Sequence, residues 1–187
     1  MRASHFRRSL MLATCLLLFG SLALPGVSQA KTAEEINASV NAALVRFDQQ
    51  VKGGAQFLAT AKGVLVFPDV IKAALVFGGQ YGEGALRVGG VTRGYYSTTG
   101  GSWGASIGVE KKDIIIVFRD GAALRQFEES SGWQVGVNGA VTLVNVGAGA
   151  DVSTMQINQP IVAFVVGQKG LMFDVSLQGV KISKLNK

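Results

Sequence analysis

WGASIGVEKKDIIIVF, residues 103–118, decides the fold class of this chain. In residues 103–109, apolar side chains alternate with small or polar ones, which is typical of a strand with one buried face. Residues 114–118 are an unbroken apolar run, which indicates a strand covered on both faces. Lys111 and Lys112 separate the two parts. We predict that they lie in the turn of a hairpin between two strands.

The same two patterns recur after the first sixty residues. Alternation continues at 171–177, and further unbroken apolar runs occupy 64–67, 74–77 and 161–166. Apolar residues also change from odd to even positions near Val144, which predicts a bulge or a sharp bend there.

Glycine supplies 25 of the 187 residues, about twice its average share. Many of these glycines fall inside predicted strands, where they mark tight bends or the close approach of another backbone. We therefore predict an α+β fold. Its sheet is glycine-rich, strongly curved and mainly antiparallel, or a partial barrel, with an N-terminal amphipathic helix and short helices packed on it.

Three helices are predicted. TAEE at 32–35 matches a capping box, and residues 36–51 carry an apolar stripe at spacings of three and four. The Gly-Gly pair at 53–54 is expected to end this helix. A shorter helix follows at about 56–62, and a third spans 120–129. Because the polar face of the first helix has few bases, packing on the sheet is favoured over lying on a membrane.

The first thirty residues are typical of a signal peptide. Three arginines precede an apolar run at 10–24, and small residues lead to Ala30. The run is shorter than the roughly 20 residues of a spanning helix. We expect cleavage after Ala30 and a periplasmic protein whose residues 31–187 form a single domain. A lipoprotein anchored at Cys15 and an uncleaved anchor are the alternatives.

Composition argues against several classes of function. Without the three signal arginines, the net charge falls from +6 to +3, too small and dispersed for a nucleic-acid footprint. The one cysteine and one histidine, Cys15 and His5, both precede residue 31. Residues 31–187 therefore lack the usual ligands for zinc, copper or haem, and we expect no metal and no cofactor.

No enzyme is expected either. GASIG at 104–108 matches the nucleophile elbow G-x-S-x-G. However, no histidine follows the signal to take the proton of Ser106, and the motif falls in a predicted strand rather than a strand-to-helix turn. An enzyme that uses lysine or carboxylates is a further alternative.

Four blocks resemble, in order, the SYLF family, also called the Ysc84 actin-binding domain family. They are AKGVLVFP at 61–68, GGQYGEG at 78–84, YYS at 95–97 and KGLMFDVSLQG at 169–179. The similarity extends from about Ile36 to Lys187. It implies a binding module, because eukaryotic relatives bind phosphoinositide-rich membranes and some bundle actin, while bacterial relatives are typically exported.

Dispersed bases are the candidates for contact with anionic headgroups. They are Lys62, Lys72, Arg87, Arg93, Lys111, Lys112, Arg119, Arg125 and Lys169. Lys62 and Lys169 fall within the resembling blocks, and Lys111 and Lys112 are expected to be accessible at a hairpin. These four are the predicted lipid-binding residues.

We therefore expect an exported, non-enzymatic module that binds anionic phospholipid or a membrane surface of the bacterial envelope. One alternative is a structural or protein-interaction module with an envelope protein partner and no lipid. A small outer-membrane β-barrel is less favoured, because capped amphipathic helices and two-sided apolar runs suit a covered sheet better.

Overall fold

The computed structural model describes residues 30–146, 150–152, 157–170, 177 and 179–187. The predicted signal peptide up to residue 29, Cys15 and the alternating strand at 171–176 lie outside these residues. Lys31–Lys187 form one compact unit. None of the helices in the described part of the chain is long and apolar enough to cross a membrane.

Helix α1 (Ala33–Gln50) begins with the predicted capping box. Thr32 Oγ1 accepts a hydrogen bond from the Glu35 N–H at 3.2 Å, and Glu35 Oε2 accepts one from the Thr32 N–H at 2.7 Å. The predicted apolar stripe is buried at Ile36, Val40, Ala43 and Phe47. The helix ends before the glycine pair, because the next two residues already form a strand.

The other elements follow in chain order as β1 (Val51–Lys52), α2 (Gly54–Ala59), β2 (Gly63–Val88), β3 (Val91–Phe118), α3 (Gly121–Glu129), β4 (Trp133–Gln134), β5 (Thr142–Asn145), β6 (Ala150–Asp151), β7 (Ile161–Gly170) and β8 (Lys181–Leu185). The third predicted helix is confirmed, and the Asp120 side chain caps it by accepting from the Ala123 N–H. The second helix begins two residues earlier than predicted.

Strand β3 is the centre of the sheet. Antiparallel β2 pairs with it along one edge. On the other edge, β8 pairs with residues 95–99 and β7 with residues 110–118, both antiparallel. β4 pairs with β8, β5 runs parallel to β7, and β1 and β6 form a separate parallel pair. The predicted α+β class with a mainly antiparallel sheet is confirmed.

Apolar cores cover both faces of β3, as the unbroken apolar runs predicted. Ile114 and Ile116 belong to one core, with helix α3 and Trp133. Ile115 and Val117 belong to the other core, beneath α1. Neighbouring residues enter different cores because successive side chains of a strand point to opposite faces.

Two glycines allow β2 to curl back against itself. A Cβ on Gly84 would lie 1.9 Å from the carbonyl oxygen of Val66, and one on Gly82 would lie 2.7 Å from Val70 Cγ2. Distant parts of one strand are therefore in direct contact, which side chains at these two positions would prevent. The predicted strong curvature is confirmed.

Two local predictions are wrong. The turn between β2 and β3 is at Gly89–Gly90, with φ of +59° and +81°, whereas Lys111 and Lys112 lie inside β3. Val109, predicted on the buried side of an alternating strand, is 61% exposed. The predicted bulge or sharp bend near Val144 is not found within Thr142–Asn145, where β5 pairs with β7 in regular register, and residues 147–149 lie outside the described part.

Candidate functional site

Bulges in two strands create a polar region at the end of both apolar cores. In β2, the register shifts between Phe67 and Val70. In β7, it shifts opposite Lys111 and Asp113 of β3. Asp69, within the first bulge, has φ of +55°, a conformation that aspartate tolerates better than most residues. Each bulge changes which side chains of the strand face which core.

Asp113 ties helix α1 to this region. Its carboxylate, only 4% exposed, accepts hydrogen bonds from Arg46 Nε at 2.7 Å and Nη2 at 2.9 Å, and from the Asp69 N–H at 2.9 Å. The hydrogen bonds to Asp113 raise the pKa of Arg46 above its ordinary value, so the guanidinium stays charged. The two-pronged contact also fixes the orientation of both side chains.

A second ion pair lies on the opposite face of β3. Lys112 Nζ is 3.1 Å from Glu110 Oε1, and the two side chains are 1% and 0% exposed. Gln168 Nε2 donates to the same oxygen at 2.9 Å, and buried Lys72 lies opposite Glu110 on β2. Because buried charges are costly unless paired, these groups hold one another in place. The amine of Lys112 is therefore not at the protein surface.

Four exposed side chains form what we call the open sheet patch: Ile71, Val109, Lys111 and Lys169. Ile71 is 53% and Val109 61% exposed, and both lysines are exposed. Ile71 pairs with Lys111, and Lys111 pairs with Lys169, in a row across β2, β3 and β7. Lys111 lies on the same face of β3 as Asp113, so the patch continues the α1 side of the sheet.

The charges of the patch favour an anionic partner. Like charges opposite each other on paired strands weaken a sheet. Lys111 Nζ lies 3.0 Å from Asp69 Oδ1, which offsets part of that repulsion. Lys169 forms no ion pair with any residue that the structure describes. Two cations beside two exposed apolar side chains suit a membrane surface, in which negatively charged headgroups cover an apolar interior.

The predicted lipid-binding residues therefore have different positions. Lys111 and Lys169 come together, and Lys112 is buried. Lys62 is exposed just before β2, where its N–H donates to the Phe118 carbonyl. That position is seven residues along β3 from Lys111, or roughly 20 Å at the rise of a strand. Lys62 is therefore not part of the patch.

The sequence did not predict some of the contacts and exposed residues of this region. The Arg46–Asp113 contact joins residues distant in the chain, and no local pattern marks it. The exposure of Ile71 had a signal: Pro68-Asp69 directly follows the apolar run. Proline inside a strand marks an edge or a bulge, and a bulge reverses which later side chains are buried.

Two kinds of catalytic site, a metal centre and a nucleophile elbow, can be compared with the described residues. Within the described ranges, no three histidine, cysteine or acidic side chains are grouped so as to hold a metal ion. Residues 104–108 continue within β3. The strand-to-helix turn of a nucleophile elbow is therefore not formed there.

Residues 99–187 match a family model described as Ysc84, Las17-binding protein actin regulator. These residues, a little under half of the chain, are similar to the Ysc84 family. The resemblance seen in the sequence is thereby confirmed, and Ysc84 domains are binding modules. The Ysc84 segment contains Val109, Lys111 and Lys169 of the open sheet patch, whereas Ile71 precedes it. No curated protein matches the chain.

Proposed function

We propose that this protein is an exported, non-enzymatic module of the bacterial envelope that binds anionic phospholipid surfaces through the open sheet patch. The row Ile71–Lys111–Lys169 carries the proposal, since it combines adjacent cations with exposed apolar surface. The match of residues 99–187 to the Ysc84 family model supports a binding role. The signal-like first thirty residues support export.

The expected affinity of the patch for a bilayer is low. Each lysine near an anionic surface contributes up to about 1 kcal/mol. Burying the exposed halves of Ile71 and Val109 adds on the order of 1 kcal/mol each. Together these terms give about 4 kcal/mol, which corresponds to a Kd near 1 mM. Binding should therefore be reversible, weakened by salt and dependent on the density of anionic lipid.

Co-sedimentation with liposomes tests the proposal. The purified protein is mixed with phosphatidylcholine vesicles, with or without phosphatidylglycerol, at low and high salt. We expect binding only where phosphatidylglycerol is present, and less of it at high salt. K111E/K169E should lower binding by about thirtyfold or more, since it removes about 2 kcal/mol of attraction.

A matched control separates the patch from overall charge. Lys181 and Lys184 of β8 are exposed, and K181E/K184E changes the net charge by the same amount. This variant should retain most of the binding. Equal loss in both double variants would show that the patch is not the site. Absence of binding to any vesicle at low salt would reject lipid binding and favour an envelope protein partner.

A further inference from the structure

A cleft of about 380 Å³ lies between α1, α2, the start of β2 and the Gly89–Gly90 turn. Its walls are mainly apolar, with Leu44, Leu58 and Val64 as the largest apolar side chains. The volume lies within the range of small-molecule pockets. At about 30 Å³ each, the share of one water, the cleft holds on the order of ten methylene-sized groups.

Arg87 places one positive charge on the wall of this cleft. Its Nη2 donates to Asn41 Oδ1 at 3.0 Å, and its Nη1 contact with the Gly90 carbonyl is 3.4 Å long. Asn41 and Gly90 both line the cleft, so the guanidinium is at its edge. The Nη1 contact is longer than a normal hydrogen bond, and the buried Nε has no partner.

Amide groups orient Arg87 without neutralising it. Asn37 Oδ1 accepts from Arg87 Nη2 at 3.2 Å and from Thr92 Oγ1 at 2.8 Å. Asn37 Nδ2 donates to the Tyr95 hydroxyl at 2.8 Å, which fixes the amide. No carboxylate among the described residues pairs with Arg87.

A preoriented guanidinium with unused donors beside apolar walls has a definite chemical complement. The Nη1 group, whose contact with the Gly90 carbonyl is long and exposed, is the donor that an oxyanion in the cleft could reach, and an oxyanion is the strongest acceptor for it. The planar fork of arginine matches a carboxylate or a phosphate group. The apolar walls then call for an aliphatic chain attached to that group.

We propose that this cleft binds a single-chain amphipathic anion. The aliphatic chain lies against Leu44, Leu58 and Val64, and a terminal carboxylate or phosphate group binds Arg87. The cleft shares no residue with the open sheet patch. The test of this cleft and the test of the open sheet patch can therefore fail independently of each other.

Titration with decanoate, decyl phosphate and neutral decanol, all below their aggregation concentrations, tests the site. Binding to the purified protein is followed through the backbone amide signals of Gly89 and Gly90 in NMR spectra. Ala59 is exposed and lines the cleft, so A59W fills it without removing a core side chain. Ala42 is exposed on α1 but does not line it, so A42W is the matched control.

We expect decanoate or decyl phosphate to bind with a Kd of about 1 mM or below, and decanol roughly tenfold more weakly. Comparison of the two anions shows which headgroup the cleft prefers. R87Q and A59W should each weaken binding about tenfold or more, and A42W should not. R87K keeps the charge but loses the fork, and should be intermediate. K111E/K169E should bind decanoate as the wild type does.

Three results would overturn the proposal. One is the absence of shifts at the two glycines with either anion at about 1 mM. Another is binding of decanol as tight as that of the two anions, which would show that Arg87 does not contribute to binding. The last is an equal loss in A42W and A59W. Circular dichroism melts of each variant separate a loss of binding from a loss of folding.

Discussion

Gly84→Ala tests the contact on which the curvature of the sheet depends. The added Cβ would lie 1.9 Å from the Val66 carbonyl oxygen and 2.8 Å from Phe67 Cδ1, and Cβ contacts below 3.0 Å are essentially never seen. Relief requires the two parts of β2 to separate by about 1 Å, because backbone cannot rotate away as a side chain can. Overpacking typically costs 1–3 kcal/mol, and with a backbone obstacle we expect about 3 kcal/mol or more.

Gly79→Ala in the same strand is the matched control. Its Cβ would meet only the Gly100 carbonyl oxygen at 3.9 Å, an ordinary contact. Replacing this glycine should stabilise the protein by about 0.4–1 kcal/mol, because the unfolded chain loses conformational freedom. The two variants should therefore differ by roughly 4 kcal/mol in their free energies of unfolding.

Urea unfolding followed by tryptophan fluorescence measures this difference, since Trp133 is buried in the core that the curl encloses. With an m-value of about 2 kcal/mol/M, the midpoint of Gly84→Ala should fall by roughly 1.5 M relative to wild type. A midpoint within about 0.5 M of that of Gly79→Ala would refute the close approach of the two parts of β2.

Three further predictions concern polar contacts. Lys112→Met should lower the free energy of unfolding by about 3–5 kcal/mol, because it leaves Glu110 buried without its partner at 3.1 Å. A decrease in this free energy of less than about 1 kcal/mol, measured by urea unfolding, would contradict the buried pair. Burial and a hydrogen bond to Glu83 raise the pKa of Tyr81 to about 12 from 10.0. The neutral phenol of Tyr81 therefore stabilises the folded state fully below pH 10, and this stabilisation is lost as the pH rises towards 12. In a pH titration followed by phenolate absorbance, Tyr81→Phe should therefore lack the step at the highest pH. An unchanged titration would show that another tyrosine gives that step. Thr32→Ala should cost about 1 kcal/mol in thermal unfolding, whereas Thr32→Ser should not, since a serine can still cap α1.

Local signals were sufficient wherever the structure depends on local chemistry. The capping box at Thr32 and the apolar stripe place α1 correctly, and Asp120 does the same for α3. Residues 114–118, unbroken and apolar, are buried on both faces of β3 as predicted. The abundance of glycine predicted curvature, although the pattern did not show that Gly82 and Gly84 were the positions in contact.

The hairpin predicted at Lys111 and Lys112 is wrong because two polar lysines between apolar segments resemble a loop. In the structure the strand continues through them, because Lys112 pairs with Glu110 of the same strand and Lys111 pairs with Asp69 in the bulge of β2. The true turn is Gly89–Gly90, flanked by Val88 and Val91. A two-residue glycine loop between β-branched residues is a strong hairpin signal, and it marks this turn in the sequence.

The site depends on pairing that no local pattern encodes. Lys111 and Lys112 are adjacent in sequence, so on one strand they must point to opposite faces. Lys112 then meets Glu110 in the interior, whereas Lys111 meets Lys169 from a strand more than fifty residues later. The register of β7 decides the second contact, and its bulge sets that register. Charge reversal at Lys111 and Lys169 should therefore affect binding with little effect on folding, whereas a change at Lys112 should affect folding first.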